Sequence, residues 1–167
     1  MSEVLLKIEN LNKSFGITHA NVNINFELKA GEVRGLAGEN GSGKSTLLSQ
    51  IAGLYGSDSG KMYIRGEEYS PKNPVDANNH KVAMVVQELG MIGSLPASIN
   101  IYLGKTKKFI KMSDLQDQAN AVSDRWGLPR VNLKRMAGSM NIENRKMVEL
   151  IRALAADPDI LILDEVT

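Results

Sequence analysis

Gly38-Glu39-Asn40-Gly41-Ser42-Gly43-Lys44-Ser45, followed by Thr46, is the stretch of this chain best equipped to hold a chain of phosphates. It fits the pattern G-x-x-x-x-G-K-[ST]. Glycines let the backbone curl tightly, so successive N–H groups point inward and form a concave anion nest. Lys44 would place a point charge on the β- and γ-phosphates, and the Ser45 hydroxyl is a hard oxygen ligand suited to Mg²⁺. A helix starting near Ser45 would add its positive N-terminal end to the same pocket. The glycines do not follow G-x-G-x-x-G, which disfavours a dinucleotide-binding fold. The bland alternative is a glycine-rich turn with an exposed lysine. Against it stand the flanks: Val33-Arg34-Gly35-Leu36-Ala37 has the pattern of a short strand, and Thr46 to Ala52 that of a helix stopped by Gly53.

A second set of groups could work on the same phosphates. Ile160-Leu161-Ile162-Leu163 is apolar throughout and ends in Asp164-Glu165. Beside a phosphate-binding loop this looks like a Walker B strand. Asp164 would hold Mg²⁺ through water, and Glu165 would orient or deprotonate the attacking water. Alone, it is equally a core strand ending in two solvated acids. Val82 to Val86 is apolar at every position, the signature of a strand buried on both faces, and Gln87-Glu88-Leu89-Gly90 follows abruptly. Polar residues at the carboxyl end of such a strand sit where open α/β sheets bind ligands. Gln87 is therefore expected to reach the metal and the attacking water, although by itself it is only a polar strand terminus.

The whole chain bounds what can position these groups. Its 167 residues make one domain or a piece of one, and 43% hydrophobic residues suffice for a real core. Twenty basic residues nearly cancel nineteen acidic ones, so no global field favours nucleic acid or an anionic membrane. With no cysteine, disulfides and thiolate metal sites are excluded. The longest clean apolar run, Val82 to Val86, is far short of a membrane span, and Met1 to Leu6 lacks the marks of a signal peptide. A soluble, intracellular chain is expected.

Along the chain, Val4 to Ile8 is strand-like and is expected to end in the polar stretch Leu11 to Gly16. Val22, Ile24, Phe26 and Leu28 alternate with polar neighbours, predicting a strand with one buried and one wet face, more in keeping with an antiparallel sheet. Met62 and Ile64 mark another strand, and Pro71 and Pro74 a loop. Ser113-Asp114-Leu115-Gln116 matches a capping box, followed by Leu115, Ala119, Val122 and Trp126 at helical spacing. Trp126 is expected to anchor the core. Lys105, Lys107, Lys108 and Lys111 are expected to form a solvated basic face. Asn141 to Ala155 is expected to be helical, with Met147, Leu150, Ile151 and Leu154 inward.

Taken together, Gly38–Thr46, Gln87, Val148–Leu154 and Leu161–Thr167 resemble the ATP-binding subunit of an ABC transporter, and the match runs from Leu5 to Thr167. Leu36 to Gly41, Gln87 to Leu89, Pro96, Ile99 to Gly104 and Met147 to Glu149 resemble the branch that imports ribose, galactose and similar monosaccharides. The resemblance implies an α/β fold: a P-loop NTPase core, an antiparallel β layer, and a helical subdomain over roughly 89–137 that faces a membrane subunit. It implies ATP and Mg²⁺ as cofactors, with Phe15 stacking on adenine and Glu39, Asn40, Gly41, Ser42, Gly43 and Thr46 lining the phosphates. It also implies a second nucleotide-binding half (in tandem or as a dimer), transmembrane permease subunits, indirectly a periplasmic or extracellular sugar-binding protein, and no nucleic acid. The place of work would be the cytoplasmic face of the cell membrane.

The sequence departs from the family pattern in three ways. At the signature motif, LSGGQ or an LS-I-G-like variant, it carries Met140-Asn141-Ile142-Glu143-Asn144. Asn141 replaces a serine, and Glu143 replaces a glycine that lets backbone approach the partner's γ-phosphate. Val166 replaces a proline. The family pattern also continues past Thr167 with a dimer-contacting loop, a further strand and a switch histidine, for which His19 and His80 are misplaced. The resemblance thus suggests a C-terminally incomplete domain. Two alternatives stay open: a nucleotide-binding fragment without turnover, and a soluble ABC-family ATPase unconnected with transport.

Overall fold

The computed structural model describes residues 3–85, 90–104 and 111–164, and the chain divides into two compact units, Met1–Val82 and Ala83–Thr167. In the first, β1 (Val4–Phe15) and β2 (Thr18–Lys29) form a long hairpin. On the other side β1 pairs with β3 (Ser59–Ile64), and β3 with β4 (Glu67–Tyr69), giving an antiparallel sheet of order β2-β1-β3-β4. Helix α1 (Lys44–Ile51) follows the glycine-rich loop, and α2 (Pro74–Asn79) ends the unit.

β1 runs on through the polar stretch expected to end it, because β2 supplies partners as far as Phe15↔Thr18. The hairpin is irregular, however. Its register slips by one residue between Leu11↔Ile24 and Lys13↔Asn21, and Asn23 takes a positive φ of 52° there. A one-residue bulge exchanges the faces of everything beyond it. Ile24, Phe26 and Leu28 keep their inward phase as half-buried residues. Val22, expected to share it, is exposed, and Asn21 is buried in its place.

Residues 33–37, expected to be a strand, form none in the described structure, and Val33 is 99% exposed. A strand exists only when a neighbour takes up its N–H and C=O groups. Among the described residues the apolar strand β5 (Val82–Val85) pairs with β6 (Ile160–Leu163) instead. The helix α1 ends as expected at Gly53, in a Schellman arrangement. Gly53 has φ 74°, its N–H donates to Gln50 O at 3.2 Å, and Leu54 N–H donates to Ser49 O at 2.8 Å. Pro74, expected in a loop, is instead the first residue of α2, where its missing N–H costs nothing; Asn73 caps that helix by accepting from Asp76 N–H at 2.9 Å.

The second unit holds α3 (Ala97–Tyr102), α4 (Met112–Arg125), a 3₁₀ turn (Ala137–Ser139) and α5 (Ile142–Leu154) with β5 and β6. Ala97, Ile101, Leu115, Ala119, Val148 and Ile151 bring the three helices onto one apolar core. Each valine, leucine or isoleucine among them, when fully buried, contributes about 1.5–3 kcal/mol relative to exposure. Trp126 does not anchor this core. It is 47% exposed, with Arg125 lying over its ring at 5.8 Å, since it falls at the C-cap, where the helical face has already ended. Ser113 is not a cap either: α4 begins at Met112, and the serine hydroxyl donates to Asp114 at 3.0 Å. In β6, Ile160 and Ile162 are buried but Leu161 and Leu163 are exposed.

Candidate phosphate-binding site

The loop 38–43 winds into α1 through two left-handed glycines, Gly41 at φ 83° and Gly43 at φ 87°. Gly43 is the N-cap, and its carbonyl accepts the first helical bond, from Leu47 N–H, at 2.9 Å. Lys44, Ser45 and Thr46 therefore occupy the first three helical positions. The first turn carries no acidic residue and no side-chain cap, so the positive end of α1 is not offset from within. A β-carbon on Gly43 would stand 2.2 Å from Ala20 O and 2.3 Å from the Asn21 side-chain amide. Only glycine fits both that gap and that φ.

Lys44 folds back over the loop. Its Nζ donates to Gly38 O at 2.7 Å and Glu39 O at 2.8 Å, with a longer contact to Ser42 Oγ at 3.4 Å. An ammonium has three protons. Two are committed to loop carbonyls, fixing the charge over the loop, and among the described residues the third makes the weak Ser42 contact. Ser42 N–H closes the turn onto Glu39 O at 3.2 Å. Glu39, Asn40, Gly41 and Ser45 are exposed, and Thr46 is half-buried.

Beneath the loop lies a buried amide pair that the sequence pattern did not signal. Asn21 and Gln50 are 3% and 0% exposed, with their side-chain amides 2.7 Å apart. Gln50 Nε2 donates to Ser57 Oγ at 2.9 Å. The other end of the Asn21 amide lies 3.0 Å from Gly43 O and 2.8 Å from Ala20 O, at the start of α1. This pair ties β2 to the start of α1. The phase of β2 placed Asn21 on the wet face, and only the bulge turns it inward.

Phe15 belongs to the same unit as the loop, at the end of β1. Its ring meets Tyr55 edge-on at 5.2 Å, and Lys13 Nζ lies 5.4 Å from its centroid. Lys13 is paired with Asp58 at 2.9 Å, and the other Asp58 oxygen accepts from Ser14 N–H at 2.7 Å. The lysine, and then the Ser14 amide, hold the Asp58 carboxyl below its usual range. None of Lys13, Tyr55 and Asp58 was singled out by spacing.

Asp164 lies in the second unit, just past β6, where its N–H donates to Val85 O at 3.2 Å. Gln87 and Glu165 lie outside the described residues. At the signature stretch, Asn141 caps α5 by accepting from Asn144 N–H at 2.9 Å, so it does the capping work open to the serine it replaces. Glu143 is exposed in the first turn of α5, against that helix's positive end. Arg145 braces the approach, donating to Met140 O at 3.0 Å and Gly138 O at 2.7 Å.

A ribose import ATP-binding protein of Rhodococcus jostii is 35% identical over 167 residues, covering 98% of this chain and 33% of its own. A guanosine import ATP-binding protein of Bacillus subtilis is 35% identical over 168 residues, covering 99% of this chain and 33% of its own. The chain thus spans about a third of the length of these relatives. A dimeric ATP-binding cassette solved in a post-hydrolysis state with ADP and Pi superposes with a TM-score of 0.80 at 24% identity, over 96% of this chain and 73% of that one, which shows the fold. The family model for the ABC transporter matches residues 22–167, and the chain belongs to that family.

Proposed function

We propose that this chain binds ATP with Mg²⁺ on Gly38–Thr46 and takes part in its hydrolysis as one nucleotide-binding half of a sugar importer. The observation that carries this reading is the Lys44 ammonium, held over the glycine loop by two carbonyls at the uncapped start of α1. An anion there meets backbone N–H groups, a helix end and a fixed cation together. Triphosphate contacts would fall to residues 39–46, and the purine to Phe15.

Magnesium fits the oxygen chemistry present. Ser45 offers a hydroxyl at the second helical position and Asp164 a carboxylate beyond β6, and Gln87 would add an amide. Among the described residues no group of three or more His, Cys, Asp or Glu gathers into a cage. Mg²⁺ usually keeps several waters and shares phosphate oxygens, so one or two protein ligands suffice. When bound, it would offset charge on the transferring phosphoryl group. Glu165 would orient or deprotonate the attacking water.

The fully assembled machine would add a second nucleotide-binding half, permease subunits at the inner face of the membrane and, indirectly, a binding protein that selects the sugar. The relatives named for import support this assignment, and among the described residues no helix is long and apolar enough to cross a membrane. Phosphate release from MgATP by the assembled transporter tests the reading. It should be abolished by Glu165→Gln while nucleotide binding persists. Binding without any release, in wild type and variant alike, would favour a nucleotide-binding role without turnover. Binding to DNA or ribosomes rather than a membrane subunit would favour a soluble ATPase.

A further inference from the structure

We propose that Tyr55 is a positioning residue for the nucleotide base, holding the Phe15 ring in the orientation in which a purine stacks on it. The inference rests on the reading of Gly38–Thr46 as a nucleotide site and extends it to the far end of the ligand. Phe15 is 44% exposed and Tyr55 46%, yet the two rings stand 5.2 Å apart at 75°, a near-perpendicular edge-to-face pair. Such pairs have a preferred geometry set by the ring quadrupoles, so Tyr55 restricts how Phe15 turns. Half-exposed rings add little to a core. What this pair provides is a fixed aromatic surface open to a flat ligand.

The pair is fastened to the same parts that shape the phosphate loop. Phe15 pairs with Thr18, two residues before Ala20, whose carbonyl abuts Gly43. At the rise of a strand that is about 7 Å along β2. Tyr55 follows the C-terminal end of α1, the helix that begins with Lys44, and its N–H donates to Ser49 O at 3.3 Å. The loop and the aromatic pair are thus set by the two ends of one helix and by one strand. Lys13, with Nζ 5.4 Å from the Phe15 centroid and pinned by Asp58, is a second contact on that ring. A base on Phe15 and phosphates on the loop would be bridged by a single nucleotide.

The test compares MgATP with magnesium tripolyphosphate, which shares the phosphates but lacks the base, by titration calorimetry on the 167-residue chain. Tyr55→Ala should weaken MgATP by about 3- to 10-fold and change tripolyphosphate by less than about 2-fold, while Tyr55→Phe, which keeps the ring, should match wild type. Retained tripolyphosphate binding also shows that the variant is folded. Should Tyr55→Ala fail to fold, Tyr55→Leu keeps the bulk without the ring and should show the same selective loss. Unchanged MgATP affinity in the folded variant, or equal losses for both ligands, would overturn the inference while leaving the phosphate site standing. If wild type took up neither ligand, the nucleotide reading itself would fall, and this inference with it.

Discussion

Gly43 lies so close against Ala20 that a β-carbon on the glycine would stand 2.2 Å from the Ala20 carbonyl oxygen. The phosphate loop is thereby pressed onto β2 with no room for a side chain, at a φ of 87° that L-residues rarely adopt. Left-handed strain alone costs roughly 1–2 kcal/mol for a non-glycine residue, and the backbone clash adds to it. Gly43→Ala should therefore destabilise the first unit by more than about 2 kcal/mol in urea unfolding and weaken MgATP binding. A stable variant with native affinity would show that the loop does not depend on this close approach.

Glu143 adds a carboxylate to the first turn of α5, where the helix end would otherwise favour an incoming phosphate. Across a dimer, a γ-phosphate near that turn would meet a like charge. At ~4 Å in a water-like dielectric this costs about 1 kcal/mol, and more in a drier interface. Glu143→Gly should raise the ATPase rate of the assembled transporter by at least about 5-fold, measured as phosphate release. An unchanged rate would show that Glu143 does not face the partner's nucleotide.

Asn141 is the cap of α5 through its contact with Asn144 N–H. Asn141→Ala should cost about 1 kcal/mol in urea unfolding of the second unit, and Asn141→Ser close to nothing. Equal losses for both would mean that side-chain capping is not what the position supplies.

Much of this was legible in the sequence because it depends on local chemistry. The spacing of Gly38, Gly43 and Lys44 marks the loop through the backbone chemistry of its own residues, and Gly53 ends α1 for a backbone reason. What depended on partners was not legible. Whether residues 33–37 become a strand is decided by a neighbour's hydrogen bonds, not by their own apolarity. Asn21 is buried because a bulge near Asn23 shifts the register, and a period-2 pattern cannot foresee a slip of one residue. Trp126 fitted the helical face by arithmetic, but the helix had reached its cap. Tyr55 gave no signal, because only the fold brings it to Phe15.

Glu149 is a buried acid in α5 whose Oε1 has no hydrogen-bond partner among the described residues and lies 3.8 Å from Arg152, too far for a hydrogen bond. Burial pushes its carboxyl above the usual range, and Arg152 offsets only part of that. With the folded value raised, the protonated form is the one that fits. Its stabilising contribution is present below the ordinary carboxylate range and is lost as pH rises through the folded value. Glu149→Gln keeps the shape without the charge, so it should be more stable than wild type at neutral pH. The gap should close as the pH falls below 4, roughly where free carboxylates protonate. Melting temperatures measured across that range would show the two curves converging at low pH; parallel curves would contradict the account.

Lys44→Ala tests most directly whether Gly38–Thr46 holds a nucleotide through Lys44. Its charged hydrogen bonds are worth about 1.5–3 kcal/mol each, so losing them should weaken binding by at least about tenfold. Fluorescent-nucleotide titration with Mg²⁺ should show saturable binding to the wild-type chain that Lys44→Ala removes. The same saturable curve in both proteins, or none in either, would contradict that reading.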